Sequence, residues 1–283
     1  MTSQFKTVFL LGLLSAIVIF LGGMLGGRSG LILAFGLAIL MNVGSYWYSD
    51  KIVLKMYRAR ELGPDDSPFL HEIVSDLARN AGIPSPRIFA VPEAAPNAFA
   101  TGRDPEHAVV AVTDGITRLL TPEELRGVIA HEIGHIVNRD ILIQTIAGVM
   151  ASAIVTLANM LQFSAIFGGN RENGGSAASG IILALIAPIA AGLIQMAISR
   201  SREYLADATG ARLSGQPLAL AGALYKLAAA SGQTPLMHGN PSTAEMFIVT
   251  PLFGRDASIA RLFSTHPPIE DRIARLRDMA ANR

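Results

Sequence analysis

Cysteine is absent from all 283 residues, so no disulfide braces this chain and no thiolate can hold a metal. Any metal site must use His, Asp or Glu. Charge is also scarce: 16% of residues are charged, the net charge is +1, and no basic stripe stands out as a footprint for nucleic acid. What fills the chain instead is apolar, at 51%, which is more than an ordinary soluble domain carries. There is no internal repeat.

The apolar residues fall into four blocks, at about Thr7–Gly27, Gly30–Tyr48, Ile141–Phe167 and Ala177–Ile198. Each has roughly the twenty residues a helix needs to cross a bilayer. The first block could instead be a signal peptide, but its apolar run is long and no small-x-small cleavage site follows. The short Arg28-Ser29-Gly30 connection makes blocks one and two a hairpin, and GGNRENGGS makes blocks three and four a second one. The Ala/Gly-rich third and fourth blocks also fit buried core helices. Lys51, Lys55, Arg58, Arg60, Arg139, Arg200 and Arg202 all flank the same ends of the blocks. The positive-inside rule then puts both termini and the polar segments in the cytoplasm. Tyr46, Trp47 and Tyr48 sit where an interfacial aromatic belt belongs.

This divides the chain into a membrane hairpin (1–50), a polar part (51–140), a second membrane hairpin (141–198) and a second polar part (199–283). Ser67-Pro68 starts a helix that Gly82 ends. Short strands are expected at Arg87–Val91, Asn97–Thr101 and Ala108–Val112. Thr121-Pro122-Glu123-Glu124 is a capping box that opens a further helix. Beyond the last apolar block, helices are expected over Ser199–Leu213 and Pro217–Ala230. An irregular stretch, Ser231–Asp256, follows, and then an amphipathic helix bearing Ile269, Ile273, Leu276 and Met279, opened by Thr265-His266-Pro267-Pro268.

The helix after Thr121 carries VIAHEIGHIVNRD. His131 and His135 lie four apart, on one helical face, and can reach one metal. Glu132, offset by one residue, suits a general base acting on metal-bound water. Glu123, Glu124, Arg126, Glu132, Arg139 and Asp140 crowd this helix. Each would cost about 2.5–3.5 kcal/mol at mid-membrane, so the helix belongs outside the bilayer. The third ligand is expected in SRSREYLAD: Glu203 for the metal, with Asp207 fixing the tautomer of a ligand histidine through its outer nitrogen. Asp140 is a further candidate for supporting the ligand helix. The blander reading of Glu203 and Asp207 is a solvated acidic pair beside arginines.

Taken together, HEIGHIVNRD, SREYLAD, NAFATGR and THPPIEDRI resemble the HtpX-type membrane-bound zinc endopeptidases. These are relatives of the Ste24 CAAX-processing peptidases, within the gluzincin group. The resemblance spans nearly the whole chain. It implies an α+β, mainly helical fold: a zincin-like peptidase domain with a small edge-strand sheet, plus the four transmembrane helices. It also implies one Zn2+ per chain, polypeptide substrates, a lipid bilayer as surroundings, a bacterial inner-membrane location and a role in protein quality control under stress. Asn97, Ala98, Phe99 and Ala100 resemble the substrate-binding edge strand of gluzincins. His266, extended because it precedes proline, suits either an oxyanion donor or a structural cap. Two other functions remain open from the sequence: a prenyl-protein peptidase, and a non-catalytic membrane scaffold or chaperone.

Overall fold

The computed structural model describes residues 3–146, 200–231, 248 and 267–282. Most of block three, all of block four and His266 lie outside the described residues.

Helix α1 (Ser3–Met56) contains blocks one and two. Gly27, with φ 56 and ψ −139, interrupts it in a conformation that a side chain would resist. The chain doubles back there, one residue before the connection expected from the sequence. Gly22 packs against Gly30 and Ala34, and Asn42 Nδ2 donates to Ser15 Oγ at 2.7 Å. Among the described residues, one stretch is long and apolar enough to cross a membrane: Gly27–Tyr48, with a mean hydropathy of 1.6. Leu31, Ile32, Leu33, Phe35 and Leu40 are exposed along it.

A four-stranded sheet follows, in the order β1-β2-β4-β3. The strands are β1 (Arg60–Glu61), β2 (Arg87–Val91), β3 (Ala98–Thr101) and β4 (Val109–Thr113). β2 is parallel to β4, and β3 runs antiparallel to β4 along the outer edge. Strand β2 matches its expected span, and β3 and β4 begin one residue later than expected. One face of the sheet rests on the last turns of α1, where Val53, Leu54 and Tyr57 pack with Phe89, Phe99 and Ala111. The other face packs on α2 (Pro68–Ala81) and α4 (Pro122–Val137), joined by Ile88, Val110, Val112, Leu77, Val128 and Ile129. Short α3 (Asp114–Leu119) is capped by Thr113, whose Oγ1 also accepts from Asn97 N–H at 2.8 Å.

Helix α4 starts as its sequence dictates. Thr121 Oγ1 accepts from Glu124 N–H at 3.3 Å, and the Glu124 carboxylate accepts from Thr121 N–H at 2.9 Å. Its interior is enclosed by the protein: Leu125 and every residue from Gly127 to Ile136 are buried, because other elements surround the helix. The sheet and α2 lie on one side, and α5 (Arg200–Ser214) and α6 (Pro217–Ser231) on the other. The last helix, α7 (Ile269–Ala281), packs on α5 and α6. It begins four residues after Thr265, with Pro268 as its N-cap.

Candidate metal centre

Two helices bring the centre together. His131 and His135 project from one face of α4, and Glu203 and Asp207 sit one turn apart near the start of α5. All four are buried. Close helix contact makes this possible. Gly134 of α4 faces Ala206, and a Cβ on Gly210 of α5 would meet the backbone of Ala130 and His131.

His131 Nε2 and His135 Nε2 lie 3.2 Å apart. Glu203 presents Oε2 at 3.7 Å from His131 Nε2 and Oε1 at 3.5 Å from His135 Nε2. Nitrogens bound tetrahedrally to one zinc at its usual bond length stand about 3.3 Å apart, so the spacing fits. Charge fits too. Among the described residues, the carboxyl groups of Glu132, Asp140, Glu203 and Asp207 gather here against the buried guanidiniums of Arg202 and Arg272, surroundings suited to a dication.

The outer nitrogens of both histidines face carboxylates. His131 Nδ1 is 2.9 Å from Asp207 Oδ1, and His135 Nδ1 is 3.5 Å from Asp140 Oδ2. Asp140 gets there through the end of α4. Arg139 adopts φ 60, a left-handed conformation uncommon for a residue with a side chain. Asp140 N–H then donates to His135 O at 2.9 Å, which folds its carboxylate back onto the ring. Arg202 Nη1 lies 3.9 Å from the other Asp140 oxygen.

Glu132 points from α4 to the sheet edge, where Oε2 accepts from Ala100 N–H at 2.8 Å. On the other side of β3, Asn97 O accepts from Thr113 N–H of β4 at 2.9 Å. By strand alternation, Ala98 and Ala100 turn their backbone groups outward. Phe99 is buried on the opposite face, against Tyr57. Asn97 is 2% exposed, and its Oδ1 accepts from Ile248 N–H at 3.2 Å. The candidates His131, Glu132, His135, Asp140, Glu203, Asp207 and Ala100 thus meet in one place, whereas Phe99 turns away from it.

Arg272 escaped the sequence reading. Its signal is there: with Ile269 and Leu276 it falls on the apolar stripe of α7, and a charge on such a stripe marks a buried ion pair.

Burial pushes the Glu132 carboxyl up to about 7, with the neighbouring charge of Glu203 adding to it. Burial also pulls His131 down, against the pull of Asp207. For His135 burial acts the same way, but the Asp140 hydrogen bond and the charges of Glu203 and Glu132 outweigh it and raise the ring to about 9. Asp207 is held near 2: burial opposes its charge, but Arg272 and His131 prevail. In the metal-free protein these shifts favour a protonated His135 beside a neutral His131.

A metal must displace that proton. Zinc affinity should therefore rise with pH, by about tenfold per unit for one proton, and level off near pH 9. The stability of the metal-free protein should move the other way. A raised histidine stabilises the fold fully below its ordinary value of 6.5 and loses that contribution as pH rises through about 9. Zinc competition titrations and melting curves from pH 6 to pH 9, about the window these values define, would check both slopes. A pH-independent zinc affinity would contradict the protonated His135.

The model of peptidase family M48 matches residues 64–280. A protease HtpX homolog from Syntrophobacter fumaroxidans is 56% identical over 284 residues, covering 99% of this chain and 100% of that protein. Another, from Pyrococcus furiosus, is 55% identical over 277 residues, covering 97% of this chain and 95% of that protein. The crystal structure of S. mikatae Ste24p aligns with a TM-score of 0.48 at 20% identity, covering 94% of this chain and 62% of that one. The family match over most of the chain, together with full-length relatives sharing more than half its residues, establishes that the chain belongs to peptidase family M48 and is a metallopeptidase.

Proposed function

We propose that the chain is a membrane-anchored zinc endopeptidase that cleaves extended segments of misfolded membrane or cytoplasmic proteins at the cytoplasmic face. One observation carries this reading. Glu132 lies on the helix that presents the two metal-facing imidazoles, and its carboxylate reaches the outward edge of β3 at 2.8 Å from Ala100 N. Base, metal position and substrate edge are thereby held in one register.

His131, His135 and Glu203 would hold the zinc, with Asp207 and Asp140 fixing the two rings from behind. When bound, zinc supplies Lewis-acid polarisation of the scissile carbonyl and lowers the pKa of a coordinated water. Glu132 takes the proton from the attacking water and delivers it to the leaving amine. The outward backbone groups of Ala98 and the outward carbonyl of Ala100 pair with an extended peptide, Ala100 N–H being held by Glu132, so affinity comes largely from main-chain bonds and tolerates many sequences.

The exposed apolar side chains of Gly27–Tyr48 support a bilayer anchor. At 1.5 Å per residue this stretch is about 33 Å long, enough to span the hydrocarbon. Exposed Tyr46, Trp47 and Tyr48 close it, and Lys51, Lys55 and Arg58 follow, which supports a cytoplasmic domain. We extend the same reading to blocks one, three and four, giving four crossings in a bacterial inner membrane.

The test is metal content and cleavage on the full chain in lipid nanodiscs. Purified protein should carry one zinc and cleave casein, lose both on chelation, and recover both when zinc is returned. A chain that binds no zinc, or cleaves equally well after chelation, would point to a scaffold.

A further inference from the structure

Arg272 is the largest fully buried side chain among the described residues, with 0% exposure. A guanidinium in such a place is strongly unfavourable unless its charge and its donors are met. Here they are. Nε donates to Asp207 Oδ2 and Nη2 to Asp207 Oδ1, each at 2.8 Å. Nη1 donates to Ile248 O at 3.1 Å and stands 3.6 Å from Glu203 Oε2.

Each partner leads somewhere. Asp207 continues to His131 Nδ1 at 2.9 Å. Ile248 N–H donates to Asn97 Oδ1 at 3.2 Å, and Asn97 immediately precedes β3, where its O accepts from Thr113 N–H. A single guanidinium thus joins the back of the metal centre to the root of the edge strand. The fork has the right shape: two parallel donors for a carboxylate and a further nitrogen for a carbonyl.

We infer that Arg272 is a positioning residue shared by the metal ligands and the substrate edge, acting through Asp207 on one side and through Ile248 and Asn97 on the other. The inference rests on the zinc-peptidase reading above. It makes Asn97 a brace for β3. It also separates two effects that a merely structural ion pair would not distinguish.

The experiment compares Arg272→Lys, Arg272→Met, Asn97→Ala, Asp207→Asn and two double variants in full-length protein. Zinc Kd, KM, kcat and Tm are measured for each. Lysine keeps the charge but cannot reach Asp207 in two places and the Ile248 carbonyl at once, so it serves if the methionine variant fails to fold. Arg272→Lys should weaken zinc about 10–100-fold and also raise KM measured at saturating zinc. Asn97→Ala should raise KM and leave zinc Kd within about twofold. The Asn97→Ala/Arg272→Lys pair should show KM effects that fall short of the product by about threefold or more. The Asp207→Asn/Arg272→Lys pair should do the same for zinc Kd.

Zinc Kd and KM both unchanged in Arg272→Lys, with only Tm lowered, would overturn the inference. So would Asn97 and Arg272 effects on KM that simply multiply. Wild type must bind zinc and cleave for either result to be read, so a silent wild type counts against the peptidase reading and a normal wild type with uncoupled variants counts against Arg272.

Discussion

Replacing Glu132 with glutamine should leave zinc bound and lower turnover about 10²–10⁴-fold, the range a positioned acid–base group contributes. The geometry explains why the metal survives. Glu132 does not face the gap between the imidazoles; its oxygen is engaged by Ala100 N–H at 2.8 Å, and the amide oxygen of glutamine accepts the same bond. The substitution removes the ability to carry a proton and little else. Zinc content, Tm and casein cleavage of the full chain would decide. Undiminished cleavage would remove Glu132 from the reaction, and loss of zinc would mean that it helps to hold the metal.

Gly210→Val should have the second large effect, although residue 210 touches neither metal nor substrate. A Cβ there would sit 2.7 Å from His131 N and 2.9 Å from His131 Cα, where ordinary contacts begin at 3.4 Å. Backbone cannot rotate out of the way as a side chain can, so α5 must withdraw from α4. A retreat of about 1 Å carries Glu203 and Asp207 with it, and misplacement on that scale costs about 100-fold in rate. Overpacking should also take about 1–3 kcal/mol from stability. Gly36→Ala is the control, because a Cβ at that position meets nothing within 4 Å. Normal zinc affinity and turnover in Gly210→Val would show that α5 adapts without moving its carboxylates.

Local signals in the sequence account for much of this site. The four-residue spacing of His131 and His135, the same spacing of Glu203 and Asp207, and the Thr121 capping box each depend only on helix geometry. The structure reproduces the register of all three. Tertiary features were not legible. β1 is two residues that become a strand only by pairing with β2. The burial of α4 could not be read from its own residues, because it comes from α2, α5, α6 and β3 closing around it. The contact between Glu132 and Ala100 joins residues 32 apart, and the pairing of Arg272 with Asp207 spans 65, distances over which no local pattern operates.

The span of that last pairing has a consequence for how the peptidase is made. Members of the network come from residue 97 at one extreme to residue 272 at the other. A growing polypeptide can expose the histidine pair long before the ribosome reaches the arginine that clamps Asp207. Until then the half-built centre carries an excess of acid with only the Arg202 guanidinium, beside Asp140, to offset it. The clamp on Asp207 is therefore the last part of the network to be supplied, after both ligand helices have been made.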